Sequence, residues 1–179
     1  MYQALATSAL DSGNWGKDMK YLIPSLAQFM TSMICKFPED MKQCKTQLQG
    51  IILNLMSSEI RMETVGLQLA STYFERLGVD DEFMNQFLMS IFTQLQFYRN
   101  NTKNKIIPVS ITRAVHIFFG TFMINFGNEA LMNHCDRVQP GILFMILKSE
   151  GDKIKFCTAP ARDRKYVIAA YTKLVCEFP

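Results

Sequence analysis

The chain has 179 residues, a formal charge of +3 and 49% hydrophobic residues, with 14 Phe and 12 Met against a single Trp. That composition supports a large core and excludes global disorder, while 9 Gly and 6 Pro are too few for an all-β protein built on many tight turns. Its Lys and Arg are mostly scattered, unlike the concentrated basic face of a nucleic-acid-binding domain, and no apolar run reaches the roughly 18 to 20 residues of a membrane span. The composition reads as helical, soluble and intracellular.

In chain order, residues 2–10 have the pattern of a short helix or the tail of a longer one; Asp11-Ser12-Gly13-Asn14 breaks it, and Trp15 tucks the loop back. From Asp18 a helix is predicted with Met19, Leu22, Ile23, Leu26, Phe29, Met30, Met33 and Phe37 on its core side. Pro24 should bend or delay its early turns, and Phe37-Pro38 marks its end. A second helix carries Met41, Cys44, Leu48, Ile51, Ile52 and Leu55, followed by cap and turn chemistry at Ser57-Ser58-Glu59. A third runs from about Ile60 to Leu77, with Met62, Val65, Leu69, Tyr73 and Leu77 in line and Gly78 as its C-cap.

Asp80 or Asp81 caps the next helix, where Phe83, Phe87, Ile91 and Leu95 recur every four residues beside Met84, Leu88 and Phe92. After the polar break at residues 100–105, Ile111, Val115, Phe118, Phe119, Phe122 and Phe126 share a face opposite Thr112, Arg113, His116 and Asn125. Two such helices joined by a short turn form an antiparallel pair that needs neighbours on both sides. Phe126-Gly127-Asn128 is a stop and cap, and a shorter helix spans Glu129 to about Val138. The run Ile142 to Leu147 fits helix or strand on periodicity alone; helices on either side favour helix. A polar stretch to Pro160 precedes a last helix near Asp163 to Phe178, with Val167, Ala170, Tyr171, Leu174 and Phe178 in line.

The predicted fold class is all-α, an α-α superhelix of antiparallel HEAT-type helix pairs. Pairs fall at about 18–57, 60–98 and 107–156, with a half-repeat at 162–178, so the whole of 1–179 reads as one solenoid segment. The period of roughly 40 to 55 residues suits HEAT or armadillo units, and a plain multi-helix bundle is the alternative. The abrupt start and stop of the pattern read as a segment of a longer protein.

Little in the chain points to catalysis or a cofactor. His116 and His134 are the only histidines, and His134-Cys135 is the only adjacent pair of His and Cys. Zinc needs four ligands at workable spacing, so a surface helix histidine and a core cysteine are the expectation. No nucleophile elbow, Walker loop or dinucleotide fingerprint is present, and Asp80-Asp81 reads as a helix cap. The five Cys lack a C-x-x-C spacing and read as reduced thiols. Asn100-Asn101-Thr102 matches the glycosylation pattern by chance, no signal peptide preceding it. Phe119-Gly120 and Phe126-Gly127 lie in or at the end of an apolar helix, not in the polar disordered tracts of nuclear-pore repeats. The densest charge, Lys153, Lys155, Arg162, Arg164 and Lys165, is either a solvated loop and first helical turn or a docking loop for an acidic partner. Lys103 and Lys105 form a weaker version.

Several segments carry a family resemblance: Tyr21-Leu22-Ile23-Pro24-Ser25-Leu26, Gln94-Leu95-Gln96, Asn125 to Leu131, Val138 to Leu147, and Ala169 to Pro179. In order and spacing they resemble the C-terminal part of the CAS exportins of the karyopherin-β family, over nearly the whole chain. The resemblance implies a large HEAT superhelix that binds importin-α cooperatively with Ran-GTP and carries it through the pore, past nucleoporins, shuttling between nucleus and cytoplasm. It implies protein contacts only: no catalysis, cofactor, nucleic acid or membrane insertion. A HEAT scaffold unrelated to transport is the competing reading.

Overall fold

The computed structural model describes residues 21–57, 62–101, 107–151 and 161–177. Residues 2–10, Trp15, the predicted helix start at Asp18 and Met19, the Ser58-Glu59 turn, Cys157 and Phe178 lie outside them. The described residues are all-α and contain no strand, and their packed helices form a HEAT-like fold. The helices sort into two compact units, Met1–Gly78 and Val79–Pro179.

In the first unit, α1 (Ile23–Lys36) begins with Pro24 in its first turn. There the missing N–H has no intrahelical partner to lose, so the proline starts the helix without bending it. Phe37 ends α1, and Pro38 opens the short α2 (Pro38–Lys42). The second predicted helix is thus divided: the backbone turns at Gln43 and Cys44, whose amides bond to Asp40 and Met41 three residues back, before α3 (Lys45–Leu55). Leu48, Ile51, Ile52 and Leu55 form the buried face of α3. It packs on α4 (Glu63–Leu77), where Gln49 Nε2 donates to the Tyr73 hydroxyl at 2.8 Å. Helix α1 packs along α4 as well.

The core face of α1 differs in part from the predicted one. Ile23, which was predicted, is buried together with Ala27 and Ile34, which were not, while Leu22, Phe29 and Phe37 are 53%, 53% and 48% exposed. The two stripes lie about a quarter turn apart on the helix. Hydrophobicity selected the bulky stripe, whereas the packed stripe centres on Ala27, whose small side chain admits a close neighbour.

The second unit opens with α5 (Asp81–Asn101), capped by Asp80, whose Oδ1 accepts from the Phe83 amide at 2.8 Å. Its predicted stripe of Phe83, Met84, Phe87, Leu88, Ile91, Phe92 and Leu95 is buried throughout. Helix α6 (Val109–Phe126) meets α5 through Phe87 and Phe118, edge to face with centroids 5.1 Å apart. Gly127, at φ +95°, turns the chain into α7 (Asn128–Val138), which packs on both α5 and α6. Gly141, at φ +74°, then leads into α8 (Ile142–Glu150); its amide donates to Asp136 Oδ1 at 2.8 Å, and the ambiguous apolar run is helical.

The last helix, α9 (Ala161–Glu177), lies along α6. Gly120 permits the approach: a Cβ there would stand 3.2 Å from Val167 Cα. By length and composition α6 is apolar enough to cross a membrane, although polar residues interrupt it and no unbroken apolar run within it is long. Half of it is buried within the fold, with α7 and α9 packed on it, and that makes it a core helix.

Candidate partner-contact surface

Of the predicted contact residues, Lys153 and Lys155 lie outside the described residues, as do Lys103 and Lys105. Arg162 falls in the first turn of α9, its side chain likewise outside the description. Arg164 and Lys165 follow on the same helix, both exposed. These two are the members of the predicted set whose side chains can be placed. They share the N-terminal part of α9, where the peptide dipoles leave partial positive charge and a cation gains nothing from the helix.

Across α5, α6, α8 and α9 runs a polar cluster, centred on buried Glu150 and His116, that sequence reading missed. Glu150, the last residue of α8, is buried, and its Oε1 accepts from Arg99 Nη2 of α5 at 3.0 Å. Its Oε2 accepts from the Thr112 hydroxyl of α6 at 3.4 Å, and Arg99 also donates to Ser149 Oγ. One turn along α6, His116 Nδ1 shares a hydrogen bond with the Tyr171 hydroxyl of α9 at 2.7 Å. Burial pushes the His116 ring down to about 4, against the pull of the Glu150 carboxylate and carbonyl, so the ring is neutral at pH 7.

Thr112 and His116 were predicted to lie opposite the core face of α6, and His134 was expected on the surface. Instead Thr112, His116 and His134 are buried. The available signal was the high overall apolarity of α6, since a helix apolar on most sides is buried on most sides. His134 packs against Phe122, edge to face at 6.2 Å, and its Nε2 lies 3.9 Å from Asp81. Burial lowers its pKa more than Asp81 raises it. Asp81 itself pairs with Arg137 at 2.9 Å, and that hydrogen bond holds its carboxyl below the usual range. Asp80 and Asp81 therefore act as a cap and an ion-pair partner.

The neighbouring Cys135 is fully buried, and desolvation pushes its thiol up to about 12. A metal ligand must be a thiolate, so the environment of Cys135 opposes that role. Among the described residues no group of three or more His, Cys, Asp and Glu stands close enough to hold a metal ion. The two Phe-Gly dipeptides serve packing: Phe119 is fully buried, Gly120 admits α9, and Gly127 turns the chain after Phe126. At the far end of α9, Asn128 Nδ2 donates to Glu177 Oε2 at 2.7 Å.

A search of curated proteins and a search of solved structures each returned no match. The family model for the C-terminus of CAS/CSE proteins matches residues 1–179. Exportins of this family are transport receptors that in general bind cargo and Ran, shuttle between nucleus and cytoplasm, and are not catalysts. The chain belongs to the CAS/CSE family and is a segment of a nuclear-transport exportin.

Proposed function

We propose that the receptor containing this chain exports importin-α from the nucleus in a complex with Ran-GTP, through protein contacts alone. The observation that carries the reading is the family match over residues 1–179. In such a complex each ligand raises the other's affinity by the same factor, typically about 5- to 150-fold, so hydrolysis of the Ran nucleotide releases the cargo. Within this segment, Lys153, Lys155, Arg162, Arg164 and Lys165 form the surface offered to an acidic partner, with Lys103 and Lys105 as a secondary contact. The exposure of Arg164 and Lys165 on the N-terminal part of α9 supports this, since that position does not serve the helix. Their contribution is to encounter and orientation more than to affinity.

The test is capture of importin-α on the full-length receptor, with and without Ran-GTP. Capture that depends on Ran-GTP is expected; Ran-independent capture, or none, would overturn the proposal. Charge reversal at Arg164 and Lys165 should slow association most at low salt.

A further inference from the structure

The two ends of α8 are held by different means. Its first turns bury Ile142, Leu143 and Ile146. Its last turn has Leu147 only half-buried and Lys148 and Ser149 exposed, so little apolar burial holds that end in place. It is tied down by polar groups instead. Glu150 is 4% exposed, and each of its carboxylate oxygens engages a different helix: Arg99 of α5 at 3.0 Å and Thr112 of α6 at 3.4 Å. Arg99 reaches Ser149 as well. One turn further along α6, His116 holds Tyr171 of α9.

Apolar faces rich in Phe, Leu and Met accept more than one close packing. Hydrogen bonds to a buried carboxylate are directional and accept far fewer, and removing one partner leaves the charge buried without its counter-ion. A single residue at the end of a short helix thus carries contacts that the local apolar surface does not supply.

We propose that Glu150 is the pin of a polar latch that fixes the C-terminal turn of α8 to α5 and α6, and that this latch, not the apolar core, sets whether the turn is closed or open. Local opening of such a turn is a separate equilibrium from global unfolding, with its own free energy. Its footprint is confined to the end of α8, because the middle turns of α5 and α6 are secured by their buried apolar faces.

Amide hydrogen exchange on the 179-residue chain tests this. Glu150→Ala should speed exchange of the amides at 147–151 by about tenfold or more, while amides in the middle of α5 and α6 keep wild-type protection. Arg99→Met should do the same, and Arg99→Lys, which keeps the positive charge, should recover part of the protection. In the double variant Arg99→Met/Glu150→Ala the two effects should fall short of additive, as for groups acting on one another. Unchanged exchange at 147–151 in Glu150→Ala would overturn the latch, as would protection lost evenly across the second unit. Should Glu150→Ala fail to fold, Arg99→Met carries the same test, because the Arg99 side chain is 44% exposed and its removal opens no core cavity.

Discussion

His116 shows what one buried side chain does to the pH response of the fold. Its ring holds neutral down to about pH 4 in the folded chain, whereas an unfolded histidine titrates near 6.5. Above that pH both states are neutral and the residue adds no pH dependence. Between about 6.5 and 4 the unfolded chain takes up a proton that the folded chain refuses, so stability falls as pH falls, by on the order of 3 kcal/mol over the window. His116→Gln, which keeps a hydrogen-bonding group facing Tyr171, should flatten this part of the profile. Urea midpoints at pH 7.5 and pH 5.0 for the two proteins would show it: the midpoint loss on acidification should be clearly smaller in the variant, and equal losses would contradict the assignment. The polar cluster around this ring was illegible in the sequence because its members lie far apart along the chain. Arg99, Glu150, Tyr171 and the Thr112–His116 face of α6 are joined only by helix packing, and no local spacing announces a partner on another helix.

At the scale of the element, two glycines in helices separate intrinsic propensity from packing. Gly50, on the exposed side of α3, has open space where a Cβ would stand, with no atom within 4 Å, whereas a Cβ at Gly120 would meet the Val167 backbone at 3.2 Å. Replacing either by Ala recovers up to about 1 kcal/mol of helix propensity. At Gly50 nothing opposes the gain, and Gly50→Ala should raise stability by about 0.5 to 1 kcal/mol. At Gly120 the α9 backbone must shift, an overpacking cost of about 1 to 3 kcal/mol, so Gly120→Ala should be net destabilising. Chemical denaturation of both variants decides the matter; a stabilised Gly120→Ala would mean that α9 does not lie as close as its contacts with α6 require. How legible an element was depended on how its apolar residues met its neighbours. In α5 the whole hydrophobic stripe is packed, so periodicity identified its apolar core residues, whereas Gln94, expected on the opposite side, is buried beside them. In α1 the packed stripe runs through Ala27, and a small residue at a close contact carries almost no hydrophobic signal.

For the molecule as a whole, the all-α class and the family could be read from the sequence because both rest on pattern order along the chain. The contact surface could not, because recognition by a solenoid depends on exposed side chains for which helical periodicity says nothing. The structure does show several large apolar side chains on its outside. Leu22, Phe29 and Phe37 stand exposed along α1 and at its two ends, and Ile168 and Val175, 64% and 67% exposed, share one side of α9. Repeat units bury such faces against neighbouring units, and exposed apolar faces otherwise favour association. The 179-residue chain should therefore bind an apolar dye and associate with rising concentration in sedimentation velocity. Phe29→Ser should lower both signals while leaving the denaturation midpoint nearly unchanged, since the side chain it removes is half exposed. A chain that stays monomeric across the concentration range and binds no dye would show that these faces are too small or too separated to act as surfaces, and the case for neighbouring repeats covering them would fall with that result.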